Sequence, residues 1–168
     1  PNILCLQEAI RFSTSDSGLF ISVEKIQTLL YYEYMAAAPV FSMNYMNGSA
    51  HFGNFILSKF PITKSEVVFT RLGHKDNFNF DDDYNIRNFV HARIKSKTKT
   101  FDVITHHGHH IRENKDGNQE TDRQMKILHD YISALNCPVI LTGDFNLHPK
   151  SKSLKSLNKS LRNLSVEY

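Results

Sequence analysis

Apolar residues recur along this chain in two rhythms. The first is the short continuous run. Ile3-Leu4-Cys5-Leu6 is of the kind that a strand buried on both faces requires, and it ends at the polar pair Gln7-Glu8. Further strands are predicted at Val40–Tyr45, Phe52–Lys59, Ile62–Leu72, Ile86–Ile94, Thr100–Thr105 and Pro138–Leu141. The second rhythm has helical spacing. Val23, Ile26, Leu29, Leu30 and Tyr34 follow a capping Ser22, with Pro39 beyond the expected helix end. Met125, Leu128, Tyr131, Ile132 and Leu135 follow a capping box read at Thr121 and Gln124. Leu154, Leu157, Leu161 and Leu164 predict a last amphipathic helix. Polar loops are expected over Arg11–Gly18, over Gly73–Asn85 and over Arg112–Asn118, with a turn at Asn47-Gly48. This order of elements predicts an α/β protein in which helices cover sheets. The adjacent runs within residues 52–72 and 86–105 favour antiparallel pairs over a doubly wound parallel sheet.

Composition narrows this picture. A chain of 168 residues accommodates one domain, taken here as 1–168, and its 40% hydrophobic and 22% charged content excludes wholesale disorder. The net charge of +3 suits a polyanionic partner such as nucleic acid without requiring one. Lys150, Lys152, Lys155, Lys159 and Arg162 contribute much of it, and a solvated helix face explains them equally well. There is no cationic stripe and no aromatic platform to strengthen the case for nucleic acid, and the Tyr31-Tyr32-Tyr34 cluster is expected to pack on a helix. Cys5 and Cys137 fall in apolar runs and predict buried free thiols in a reducing compartment, and a cytoplasmic location and a monomer are expected. No apolar run approaches the ~20 residues of a membrane span, and no signal peptide is visible.

Candidate chemistry sits where strands end. Glu8 follows Ile3–Leu6, Asp144 follows Val139–Leu141, and an extended backbone puts Asn146 on the same side as Asp144. Such residues are either turn formers or hard oxygen ligands for Mg²⁺, which takes few protein ligands and supports phosphate-ester cleavage.

The wording of the segments adds to this. Cys5-Leu6-Gln7-Glu8 resembles the L-Q-E strand end of the endonuclease/exonuclease/phosphatase (DNase I-like) superfamily. Gly53 to Ile62 is similar to its G-N-A-I-L-S-R-F-P-I strand and turn, and Val103-Ile104-Thr105-His106 to its strand ending in a phosphate-facing His. Arg123-Gln124 and Gly143-Asp144-Phe145-Asn146 resemble its R-Q and G-D-F-N segments, all in family order. The resemblance implies a four-layer sandwich of two mixed sheets flanked by helices, and hydrolysis of a phosphodiester or phosphomonoester. It implies Glu8 and Asp144 as Mg²⁺ (or Mn²⁺) ligands, with Asp144 also orienting or deprotonating the attacking water. Asn146 would hold the scissile phosphate and His106 would donate to it. The family's first Asn-bearing strand and its terminal S-D-H segment have no counterpart here, so the sequence reads as a fragment lacking terminal strands and with little activity by itself. Nuclease is the leading expectation; a lipid or sugar phosphatase and a non-catalytic binding module are the alternatives.

Some features keep two readings. His106-His107-Gly108-His109-His110 is either a metal site or one phosphate contact flanked by cleft and loop residues. Asp81-Asp82-Asp83 lacks EF-hand spacing and reads as a solvated loop. Arg87 either meets substrate phosphate or pairs with that acidic loop, and Asn54 either reaches the cleft or satisfies neighbouring backbone.

Overall fold

The computed structural model describes residues 1–13, 21–45, 48–79, 84–112 and 114–166. The acidic run Asp81-Asp82-Asp83, most of the loop expected after Arg11 and residue 47 of the expected turn lie outside the described residues. Two mixed four-stranded sheets form its centre. The first takes β1 (Ile3–Phe12), β2 (Tyr34–Tyr45), β3 (Gly48–Ser58) and the short β5 (Lys75–Asp76), in the order β1-β3-β2-β5. The second takes β4 (Ile62–Arg71), β6 (Arg87–Lys95), β7 (Thr100–His107) and β8 (Val139–Asp144), in the order β4-β6-β7-β8. Among the described residues only β2·β5 and β7·β8 are parallel, so the expected preference for antiparallel neighbours holds. Helix α1 (Val23–Leu29) covers the first sheet and α2 (Gln119–Ser133) the second.

Strand alternation builds this four-layer arrangement. Ile56 of β3 faces Ala36 and Ala38 of β2 and Val90, Ala92 and Ile94 of β6, a cluster whose small side chains let the sheets approach closely. Its neighbours Phe55 and Leu57 point the other way, against Val23 and Tyr32. In the second sheet Val103 faces inward while Phe89 and Ile104 pack under Met125, Leu128 and Ile132 of α2. Strands that bury both faces must be apolar throughout, which is why their sequences show runs and not alternation.

A polar seam crosses between the sheets. Asn54 Nδ2 donates to Asn88 Oδ1 at 2.7 Å, and Asn88 Nδ2 donates to the Ala38 carbonyl at 3.1 Å. A second polar group lies under α2. Buried Asp102 accepts from His91 Nε2 at 2.9 Å and from Arg93 at 2.9 and 3.0 Å, while the other His91 nitrogen meets the Tyr131 hydroxyl, which donates to Glu66. Burial works against the Asp102 carboxylate, but the bonds from Arg93 and His91 outweigh it and hold its pKa below the usual range.

Several expectations shift. β1 does not stop at Glu8; it bulges there and continues to Phe12. α1 is capped by Ser22 as predicted but ends at Leu29, whose side chain is 64% exposed, and Tyr34 opens β2. Strand pairing to β3 there outweighs helical propensity. Tyr31 and Tyr32 therefore lie in the turn between α1 and β2, not on the helix, and the Tyr32 hydroxyl donates to the Pro1 carbonyl. The capping box of α2 is Asn118 with Thr121, three residues ahead of the pair read from sequence. The last predicted helix is a 3₁₀ turn, Ser153–Lys159, followed by a shorter one, Leu164–Val166. Leu154 and Leu157 are buried, whereas Leu164 is exposed. The two cysteines are free and half-buried.

Candidate active site

The sheets splay at one end of the inter-sheet gap into a cavity of about 470 Å³. Glu8, Arg87, His107, Asp144 and Asn146 line it, together with Phe41, Phe52 and Phe78 among others. A second cavity, about 530 Å³, lies beside the edge strand β8, but leucines and valine dominate its lining and no acid or His is present among its residues. Size therefore does not mark the chemical site; the side chains do.

Each element delivers its group for a local reason. The register of β1 slips between Leu6 and Ala9, so Gln7 and Glu8 form a bulge. Gln7 turns inward and donates to Thr105 Oγ1 at 2.6 Å, tying β1 to β7 across the gap. Glu8 takes φ 52°, a left-handed conformation costly for this residue type, and turns its carboxylate to the cavity, where 65% of the side chain stays exposed. At the end of β8, Asp144 Oδ1 accepts the Asn146 N–H at 2.8 Å, and Asn146 adopts a left-handed φ of 55° that Asn tolerates. Gly108 anchors the neighbouring loop. Its N–H donates to the Asp144 carbonyl at 2.7 Å, and its carbonyl accepts from Arg87 Nε at 2.7 Å and Asn146 Nδ2 at 3.2 Å. A Cβ at Gly108 would stand 2.3 Å from the Phe145 carbonyl oxygen, so only glycine fits there. Gln124, from the R-Q segment, accepts the His109 N–H at 3.0 Å and fixes the same loop from α2.

The structure brings Glu8, Arg87, Asp144 and Asn146 together and sets two expected members apart. His106 does not face the cavity. β7 alternates, so Val103, Thr105 and His107 share the inner face while Ile104 and His106 point towards α2. The His106 ring is fully buried 5.5 Å from Phe145; Nδ1 meets the Asn88 carbonyl, and Nε2 is buried without a partner. His107 takes the place at the cavity, with Nε2 at 3.9 Å from Glu8 Oε1 and its backbone beside Asp144. Asn54 is likewise buried, two residues deeper than Phe52 on the same strand face, which is about 7 Å of strand rise. Its amide bridges the sheets.

Charge in the cavity is unevenly supplied. Burial pushes His106 down to about 3; burial and then the Arg87 cation push His107 down to about 4. Both imidazoles are neutral near pH 7. Arg87 is the cation at this point: burial opposes its charge, while Glu8 and Asp144 support it. Burial also lowers His110, whose Nδ1 lies 2.7 Å from the Tyr84 hydroxyl at the rim. Among the described residues no three His, Cys, Asp or Glu side chains converge on one point. The donor set is two carboxylates open to solvent and one amide, which fits Mg²⁺ with its preference for hard oxygens and retained water better than Zn²⁺.

His107 is thus the nearest replacement for His106, and only strand parity, which the sequence leaves two-fold ambiguous, distinguishes them. The aromatic cluster was missed altogether. Phe41 of β2, Phe52 of β3 and Phe78, which follows β5, meet at ring separations of 4.9 and 4.0 Å.

A sandwich of two mixed sheets between helices, with acids delivered by a strand of each sheet to one cavity, defines the DNase I-like fold. A family model for the Endonuclease/Exonuclease/phosphatase family matches residues 1–165, and the chain belongs to that family. No curated protein sequence matches it. Among solved structures it is similar to a Staphylococcus aureus beta toxin variant with bound magnesium ions, at 21% identity and TM-score 0.58, over 94% of this chain and 56% of that one. It is similar to sphingomyelinase C from Streptomyces griseocarneus, at 17% identity and TM-score 0.60, over 94% and 56%. It is also similar to D. rerio TDP2 complexed with a single-strand DNA product, at 16% identity and TM-score 0.54, over 94% and 52%. At these identities the likeness concerns the fold, and the chain spans little more than half the length of each structure.

Proposed function

We propose that this chain carries the metal- and phosphate-binding part of a Mg²⁺-dependent phosphoesterase acting on nucleic acid. The supporting observation is that Glu8, Asp144, Asn146, Arg87 and His107 surround one cavity although they come from both sheets. Glu8 and Asp144 would hold Mg²⁺, or Mn²⁺ in its place. When bound, the ion would neutralise phosphate charge and lower the pKa of coordinated water. Asp144 would orient that water and take its proton. Asn146, tethered through Gly108, would hold the scissile phosphate. Arg87 would supply fixed positive charge, and His107, neutral near pH 7, would donate one hydrogen bond to a phosphate oxygen. The similar beta toxin with bound magnesium supports the choice of ion, and the TDP2 complex with a DNA product supports the substrate class. Net charge of +3 agrees with a polyanionic substrate, and the free thiols suit a reducing, cytoplasmic setting. No helix among the described residues is long and apolar enough to cross a membrane.

The test is calorimetric Mg²⁺ titration of the chain and of Glu8→Gln, together with a hydrolysis panel of DNA, sphingomyelin and nucleotide phosphates using the full-length protein. Wild type should bind Mg²⁺, Glu8→Gln should bind it at least tenfold more weakly, and EDTA should abolish DNA hydrolysis. EDTA-resistant hydrolysis, or Mg²⁺ binding indifferent to Glu8, would refute the assignment.

A further inference from the structure

We infer that the cationic unit formed by residues 149–163 binds backbone phosphates of a nucleic-acid strand next to the phosphate held in the cavity. This names a polymeric substrate and rests on the phosphoesterase reading above. Lys150, Lys152, Lys155, Lys159 and Arg162 stand in residues 145–166 without one acid among them. That segment carries a charge of +5 within a chain of net charge +3, so the remaining residues are net negative, at −2. The positive excess is gathered in the stretch that follows Asn146 and is not spread over the molecule.

Local structure turns these cations outward as one patch. In the 3₁₀ helix Ser153–Lys159 side chains three residues apart eclipse. Leu154 and Leu157 are therefore buried together in the cluster under α2, while Lys152 and Lys155 are exposed together. Asn163 Nδ2 donates to the Pro149 carbonyl at 3.0 Å, which closes the unit and brings the chain at Arg162 back towards Lys150. Lys150, Lys152, Lys155 and Lys159 are exposed and form no ion pair among the described residues. Of the acids nearby, Asp122 accepts from Ser153 Oγ at 2.6 Å, Glu120 is paired with Arg123, and Asp116 is exposed. The patch also adjoins the cavity. Lys150 is four residues past Asn146, so their Cα atoms lie within about 14 Å of each other. The His148 N–H donates to the Lys115 carbonyl at 2.9 Å and sets Lys115 beside the start of the patch. Burial, then the charges of Lys115, Arg87 and Arg112, lower the pKa of His110, which lines the cavity. Positive charge thus continues from the patch to the cavity rim. A nucleoside monophosphate or sugar phosphate in the cavity would leave the patch unused, whereas a strand leaving the cavity brings further phosphates to it. A membrane surface that holds such a unit needs apolar side chains exposed among the cations, and of the five leucines in residues 147–166 one, Leu164, is exposed.

The experiment titrates a phosphorothioate strand of about ten nucleotides and a phosphorothioate dinucleotide into the full-length protein, with Mg²⁺ fixed and sodium chloride varied. The same titrations are run on the triple variant Lys150→Gln, Lys152→Gln, Lys155→Gln, with circular dichroism confirming that it is folded. Wild type should bind the longer strand about tenfold or more tighter than the dinucleotide at low salt. In the variant the slope of log affinity against log salt should be shallower by about 2, since each phosphate contact on a single strand contributes about 0.7. Dinucleotide binding should not change. An unchanged slope for the longer strand, with Mg²⁺ dependence kept, leaves the phosphoesterase reading standing and refutes the patch. If EDTA leaves dinucleotide binding to wild type unchanged, the phosphoesterase reading fails and this inference with it. Phosphatidylserine vesicles that lose binding in the variant, while strand binding is unaffected, would overturn the assignment in favour of a membrane surface.

Discussion

His106 permits a quantitative forecast, because its burial makes the fold sensitive to mild acid. Its side chain is wholly buried with Nε2 unpartnered, and its pKa falls from 6.5 to about 3. Between those values the unfolded chain binds a proton that the native chain refuses, so stability is full above pH 6.5 and falls as pH drops. At pH 5 the unfolded imidazole is almost fully protonated and the native one neutral, which removes about 2 kcal/mol relative to pH 8. His107, lowered to about 4, acts in the same direction and adds about 2 kcal/mol at pH 5. Urea unfolding followed by circular dichroism, with a slope of about 2 kcal/mol per molar, should show the midpoint falling by roughly 2 M from pH 8 to pH 5. His106→Gln will be less stable at every pH, since the site is buried, but its midpoint should fall by only about half as much. A pH response in His106→Gln equal to that of wild type would show that His106 is not the buried neutral group described here.

Other outcomes follow from the same packing. Asp102→Asn removes the carboxylate that accepts from both Arg93 and His91, and should cost about 3 kcal/mol, read as a fall in Tm of roughly 6–12 °C. Asp130→Ala breaks an exposed pair with Lys126 and should change stability by less than about 0.5 kcal/mol, so equal effects at the two sites would contradict the burial argument. Glu8→Gly relieves a left-handed backbone and should raise stability by about 1 kcal/mol while abolishing Mg²⁺ binding, a split that calorimetry and thermal melts read together. Gly108→Ala drives a methyl group towards the Phe145 carbonyl, and should cost roughly 2 kcal/mol and weaken phosphate binding by loosening Asn146 and Arg87.

Local chemistry along the chain sufficed for much of this protein. Continuous apolar runs announced strands buried on both faces, Ser22 announced the start of α1, and the segments around Glu8 and Asp144 announced the family. These signals are local, because burial on both faces and helix capping act on neighbouring residues. Three matters were decided only by the tertiary structure. Which of His106 and His107 faces the cavity depends on strand parity, and parity depends on which face of β7 meets the first sheet. Asn54 looks like a cleft residue in its motif, yet Asn88 from the opposite sheet claims its amide. Phe41 reaches the cavity through a bulge, and Phe78 through a two-residue strand, neither of which leaves a periodic mark in sequence. Each depends on a partner distant along the chain, and such partners become neighbours only when two sheets pack.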